Sequence, residues 1–158
     1  MSRRFEGNKV IYTTPGVDPG YFSTTPGEIS TTGFACTLNN TQNIVTIQQV
    51  SADFIVTGAT VVVLSTSGTG GSGVTTAPQV TIQFGTVILV GPITLATGAY
   101  ATLNNNPRVF TGTSAATNIR VNSGNTNSII VKCTVAPLAT GGAVATYLVA
   151  VAVEGFYI

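Results

Sequence analysis

Two carboxylates beside strand-like runs are the side chains of this sequence best suited to acid–base chemistry. Asp53 precedes one apolar run and Glu154 ends another, and a pair of carboxyl groups is enough for glycoside hydrolysis. The same two residues fit equally well as charges at strand edges or as ion-pair partners of a basic side chain. The second interpretation requires no special approach of the two groups in space, so we predict no catalytic residue.

The sequence contains no histidine, which removes the commonest general base and the commonest zinc ligand. Nucleophilic triads built on histidine are therefore excluded within one chain. Cys36 and Cys133 lie far apart among strand-like residues, where buried free thiols are the default and a disulfide is an open alternative. Asp18 stands alone, whereas a calcium site needs several clustered oxygens. We predict no metal site and no cofactor.

The segments that carry these residues are patterned as β-strands. At 79–84, apolar residues alternate with glutamine and threonine, and a similar alternation runs through 128–135. Eight or nine such runs are separated by Gly, Ser, Asn and Thr turns, and no segment of useful length has the helical period. A chain of 158 residues fits one domain. The pattern predicts an all-β fold, with a single jelly-roll-like β-sandwich at 34–158.

The longest predicted strand spans 143–153 and is apolar on both faces. A strand of this kind is either central in its sheet or covered by another subunit. The bulkier of its two faces consists of four residues at alternating positions: Tyr147, Val149, Val151 and Val153. We predict that these four residues lie in the core or at a subunit interface.

Residues 1–33 differ from the rest of the chain. They contain three Pro-Gly pairs, and the tetrapeptide Thr-Thr-Pro-Gly occurs twice, at 13–16 and at 24–27. Pro-Gly suits type II turns, because proline fixes φ and glycine supplies a positive φ. Periodic apolar content is low, so we predict an extended N-terminal arm at 1–33. The alternative is that these residues form an ordinary first strand and loops packed on the sandwich.

Charge is the unusual feature of the composition. Only 7% of the residues are charged, against about 25% in ordinary globular proteins. A surface of neutral hydroxyls and amides loses little when another protein covers it, and it lacks the charge that usually keeps proteins apart. The composition therefore favours a subunit of an assembly. A secreted bacterial β-domain, rich in threonine because threonine favours strands, is the alternative.

The net charge of +1 gives no long-range attraction to nucleic acid or to an anionic membrane. Basic and aromatic residues do not interleave along any predicted strand, as base-stacking platforms require. The longest apolar stretch, 143–153, has 11 residues, about half of what a membrane-spanning helix needs. The first ten residues contain no apolar signal sequence. We expect a protein made in the cytoplasm that binds neither nucleic acid nor membranes.

A neutral, threonine-rich, jelly-roll-like pattern with a Pro-Gly-marked first segment and no catalytic residues resembles the capsid decoration, or cement, proteins of tailed bacteriophages. The resemblance implies a homotrimer on the exterior of the virion. It also implies binding to the major capsid protein, with the arm laid across a neighbouring subunit as an added strand. The implied partner contacts are seven residues of the arm: Arg3, Arg4, Phe5, Lys9, Tyr12, Tyr21 and Phe22.

A carbohydrate- or receptor-binding β-sandwich, such as a fibre tip or a lectin-like module, is the second functional class. Sugar sites generally use exposed aromatic residues beside carboxylates or amides. This chain has no tryptophan, and several of its aromatic residues lie in the arm or at Phe156 and Tyr157. The residue types therefore favour a structural protein over a sugar-binding module, and an enzyme has the least support.

Overall fold

The computed structural model describes residues 2–6, 9–13, 36–47, 54–105, 108–114, 120–121 and 129–157. Fourteen strands and one short helix lie within these residues. In chain order the strands are β1 (Ser2–Glu6), β2 (Lys9–Thr13), β3 (Cys36–Leu38), β4 (Gln42–Ile47), β5 (Phe54–Gly68), β6 (Gly73–Thr76), β7 (Gln79–Phe84), β8 (Val87–Thr94), β9 (Gly98–Ala99), β10 (Arg108–Thr113), β11 (Arg120–Val121), β12 (Ile129–Val135), β13 (Leu138–Ala139) and β14 (Ala145–Tyr157). The helix, α1 (Tyr100–Asn105), follows β9 directly.

The all-β class predicted from the sequence is confirmed. The alternation that predicted β12 is visible in its burial, since Ile129, Val131 and Cys133 are buried and the residues between them are half-buried. The strand count exceeds the predicted eight or nine, chiefly because strands of two to four residues, such as β9 and β13, carry no detectable period. The jelly-roll connectivity stays a prediction.

Seven strands form the larger sheet, called sheet A here, in the order β1-β2-β14-β5-β10, with β3 also paired to β14 and β11 to β5. Every pairing in it is antiparallel. The pairing of β14 with β5 is the longest, running from Ala145 opposite Gly68 to Tyr157 opposite Phe54. β14 thus lies inside the sheet, which explains why it is apolar on both faces.

Two smaller sheets complete the described structure. Sheet B has four strands in the order β4-β12-β7-β8, and sheet C has three short strands in the order β13-β6-β9. Apolar side chains of sheets A and B belong to one continuous core, so the two sheets form a sandwich. Val61 and Val151 of sheet A and Ile82 and Val131 of sheet B are all 0% exposed. Burying each such side chain contributes about 1.5–3 kcal/mol.

Strands β8 and β10 bring sheets B and A together along one side of the sandwich. Val90 and Ser114 form an antiparallel bridge between them, and the Ser114 hydroxyl donates a hydrogen bond to the Leu89 carbonyl over 3.1 Å. Gly112 permits this approach, because a Cβ at that position would lie 2.7 Å from Cγ1 of Ile93. The backbone of β10 therefore packs directly against the Ile93 side chain of β8 on this side.

Two local predictions need correction. The low-complexity composition of 65–76, rich in Gly, Ser and Thr, predicts a hairpin tip or exposed loop, yet β5 continues to Gly68 and β6 begins at Gly73, so that only 69–72 connects them. The absence of helical period predicted no helix, and α1 is a single short one that buries Leu103. Both elements depend on contacts with distant parts of the chain, which local composition does not reveal. A glycine inside a strand-like run, such as Gly58, predicts a bulge or a turn, and the β5–β14 register does shift between Glu154 and Gly155, opposite this glycine.

Candidate interaction surfaces

The predicted partner contacts are distributed between described and undescribed parts of the chain. Arg3, Arg4 and Phe5 lie on β1, and Lys9 and Tyr12 lie on β2. The two strands pair as a hairpin. Tyr21 and Phe22 lie outside the described residues, as does the rest of 14–35.

The β1–β2 hairpin belongs to the same sheet as the longest strands of the sandwich. β2 pairs with β14 from Thr13 opposite Ala152 to Lys9 opposite Phe156, and β1 is the outermost strand of the sheet. This part of the predicted arm is therefore hydrogen-bonded to its own chain. The division of the chain at residue 33 stays a prediction, because the segment that follows the hairpin is not described.

The four β14 residues predicted to be core or interface lie in the core of their own chain. Tyr147, Val149, Val151 and Val153 are each 0% exposed and belong to the cluster shared by sheets A and B. The Tyr147 hydroxyl donates a hydrogen bond to the Ala96 carbonyl over 2.5 Å. Burial raises the pKa of this hydroxyl to about 12, with a smaller contribution from Tyr100 in the same direction. The four residues serve packing and are not presented to a partner.

The described outer surface is neutral. Every exposed residue, among those whose exposure the structure describes, is uncharged, and most are threonine, asparagine, serine or glycine. Arg108 and Lys132, whose side chains are also described, are half-buried. The low charge of the composition is thus reflected in the part of the surface that the structure describes.

Apolar side chains interrupt this neutral surface at separate places. The exposed ones are Val87 and Ile88 at the start of β8, Val109 on β10, and Leu138 and Val144. Leu138 and Val144 are joined by an antiparallel bridge, so they form a small patch at one end of the sandwich. Scattered exposed apolar residues are common on monomers, and none of these positions identifies a partner alone.

The groups considered for catalysis are not brought together within the described residues. Asp53 lies outside them, and Glu154 stands opposite Gly58 and Ile11 in register. Cys36 and Cys133 are buried free thiols. Burial raises the pKa of Cys36 to about 11, and burial also raises that of Cys133. A thiol with a raised pKa is a poor nucleophile at neutral pH.

Metal-binding clusters and membrane-spanning helices are both absent from the described part of the chain. No group of three or more His, Cys, Asp or Glu that could hold a metal ion occurs in it. None of its helices is long and apolar enough to cross a membrane.

Sequence reasoning missed one feature of the hairpin. The low periodic apolar content of 1–33 predicts that Val10, Ile11 and Tyr12 are isolated anchors, yet together they form the middle of β2. Three consecutive residues with high strand propensity were the available signal. The turn-rich sequence that follows them obscured it.

Comparison with known proteins provides no relative from which a role could be transferred. No family model, no curated protein and no solved structure matches this chain. The function must be argued from the surface and from the sheet that carries it.

Proposed function

We propose that this protein is a structural subunit whose neutral surface is covered by other protein subunits, and specifically a cement protein of a phage capsid. The observation that supports the proposal most directly is the absence of charge from the exposed residues whose burial the structure describes. The proposed partners are further copies of the chain, as a homotrimer, and the major capsid protein. The proposed location is the capsid exterior.

The physical argument concerns the cost of removing water from the surface. Covering an unpaired ion costs several kcal/mol even after the protein relaxes, whereas covering a hydroxyl or amide that finds a new partner costs little. A surface such as that around Thr37, Asn39 and Thr111, each of them exposed, can therefore be buried against many complementary shapes. A protein that must stay free in solution gains nothing from this property.

The rigidity of the sandwich supports the same role. Sheets A and B share one core, and β5 and β14 are paired along their whole common length. A cement protein stabilises a shell by holding neighbouring subunits at fixed positions, which requires a module that does not itself deform. Several such modules joined as an oligomer bind at high effective concentration, so that weak individual contacts sum to a strong attachment.

Sedimentation of the purified chain, alone and with capsids, tests this function. The capsids are empty shells assembled from the major capsid protein of the same genome. We expect a stable oligomer at micromolar concentration and saturable co-pelleting with the shells. A chain that sediments as a monomer at every concentration and stays in the supernatant would refute the proposal.

Surface substitutions provide the matched control. Thr37→Lys, Thr111→Lys and Val144→Lys each add one charge at an exposed position, where the free energy of unfolding should change by no more than about 0.5 kcal/mol. At a covered position the same lysine should weaken pelleting at least tenfold. If wild-type protein pellets and all three variants pellet equally well, the neutral surface is not what the shell covers.

A further inference from the structure

The β1–β2 hairpin and the edge of β14 that receives it form a self-complementary pair. We infer that in the oligomer this hairpin pairs with β14 of a neighbouring copy, so that the copies are joined by exchanged hairpins. The inference rests on the self-association included in the proposed function, and it specifies which segment makes the contact.

The first observation is how β14 uses its two edges. One edge is paired with β5 throughout. The other edge is divided, with Tyr147–Val149 paired to β3 and Ala152–Phe156 paired to β2. The second part of this edge therefore depends on a strand from the beginning of the chain.

The second observation is how the hairpin is attached. In the described sheet, β1 pairs with β2, and β2 pairs with β1 and β14. Five register positions of β2 against β14 thus connect the hairpin to the sheet. The hairpin can leave as a unit, since its internal pairing from Ser2–Thr13 to Glu6–Lys9 does not involve the rest of the chain.

The third observation concerns the edge that the hairpin covers. Ala152 and Val153, the register partners of Thr13 and Tyr12, are 0% exposed, and an open edge beside such an apolar strand invites pairing with another chain. The edge must therefore be occupied. The occupying strand need not come from the same molecule, because an exchanged hairpin makes the same hydrogen bonds and requires no new complementary surface.

The length of the connecting segment allows the exchange. Residues 14–35 separate β2 from β3 in sequence. Twenty-two residues span at most about 75 Å, and a domain of this size has a radius of gyration of about 15 Å. The segment is therefore long enough for the hairpin to reach Ala152–Phe156 of β14 in its own molecule or in an adjacent copy.

Cysteine pairs placed across the β2–β14 register distinguish the two arrangements. Thr13 and Ala152 stand directly opposite each other, and antiparallel partners have Cα atoms about 4.5–5.5 Å apart, within the range that a disulfide spans. One chain carries Thr13→Cys and the other carries Ala152→Cys. The two are co-expressed, purified together and oxidised at pH 8.

We expect a product of twice the chain mass on non-reducing gels, with the bond mapped to residues 13 and 152 by mass spectrometry. A single chain that carries both substitutions should give covalent oligomers. The inference is overturned if the mixed chains give no such product and the doubly substituted chain gives only a cross-linked monomer. Each single variant expressed alone reports any bond to the buried Cys36 or Cys133.

A second pair guards against a variant that fails to fold. Ile11 and Glu154 are also register partners, and Ile11→Cys with Glu154→Cys must give the same answer as the first pair. Failure of exchange and failure of the capsid function are separable. An oligomer without interchain bonds overturns the exchange alone, whereas interchain bonds without binding to shells overturn the capsid function alone.

Discussion

The side-chain amide of Asn104 pairs with the backbone of Thr66 as a strand would. Its Oδ1 accepts a hydrogen bond from the Thr66 N–H over 2.6 Å, and its Nδ2 donates one to the Thr66 carbonyl over 2.8 Å. The β10–β5 register ends at Val63, so this amide completes the edge of β5 beyond that point. One residue of α1 thereby satisfies two backbone groups of a residue that is 3% exposed.

Asn104→Ala should lower the free energy of unfolding by about 1–3 kcal/mol, since it leaves buried backbone groups of Thr66 without partners. Urea denaturation followed by circular dichroism measures the change. Asn105→Ala, at the next and equally exposed position of α1, is the control and should change stability by less than about 0.5 kcal/mol. Equal stability of the two variants would mean that water replaces the amide without cost.

The two neighbouring tyrosines should respond in opposite ways to loss of the hydroxyl. Tyr147→Phe removes the hydrogen bond to the Ala96 carbonyl and should destabilise the fold by about 1–2 kcal/mol. The Tyr100 hydroxyl is buried without a hydrogen-bond partner among the described residues, so Tyr100→Phe should be neutral or stabilising. Thermal unfolding of both variants is the measurement. A larger loss for Tyr100→Phe than for Tyr147→Phe would contradict the assigned contacts.

Stability should fall as pH rises above 9. The pKa of Cys36 is raised from 9.0 to about 11, and that of Tyr147 from 10.0 to about 12. Between pH 9 and about 11 for Cys36, and between pH 10 and about 12 for Tyr147, the unfolded chain loses a proton that the folded chain retains. The unfolded state is therefore favoured as pH increases. The contribution of Cys36 is fully present below pH 9 and is lost as pH approaches about 11.

Cys36→Ala isolates this contribution. Its unfolding midpoint in urea should be lower than that of the wild type at pH 7, because a small cavity is left, but it should decline less steeply between pH 9 and 11. Parallel curves for the two proteins across that interval would exclude the buried thiol as a source of the pH dependence.

Val151→Asp should prevent folding, because it places an unpaired charge at a position that is 0% exposed and costs several kcal/mol. Val144→Asp is the matched control at an exposed position, just before β14. Soluble yield and the circular dichroism spectrum report the difference. A folded Val151→Asp protein would contradict the central position of β14.

Period-2 alternation was sufficient to predict the main strands and their buried faces. It placed Ile82 and Val131 in the core correctly, and the two apolar faces of 143–153 predicted a strand that is either central or covered by another subunit, of which the first is observed. These features are local, because the side-chain period of a strand is fixed by its own backbone. The neutral surface was also predictable, since composition alone limits the number of charges that can be exposed.

Contacts between distant segments were not predictable in this way. Asn104 and Thr66 are 38 residues apart, and neither residue type indicates the other. The pairing of β2 with β14 joins the two ends of the described chain, and strand propensity gives no information on which partner a strand selects. Helix α1 exists because Leu103 is buried and Asn104 is hydrogen-bonded, although six residues are too few to form a stable helix alone.

The central strand of sheet A is also the last of the fourteen to leave the ribosome. Every strand of sheet B has been synthesised by Val135, whereas β5 must wait for Ala145–Tyr157 before its longest pairing can form. Until β14 has been made, Val61, Val62 and Val63 lie in a segment that lacks its main hydrogen-bonding partner strand. The long β5–β14 pairing therefore forms only after β14 has been made, and a growing chain that lacks β14 leaves this apolar part of sheet A unpaired and prone to aggregation.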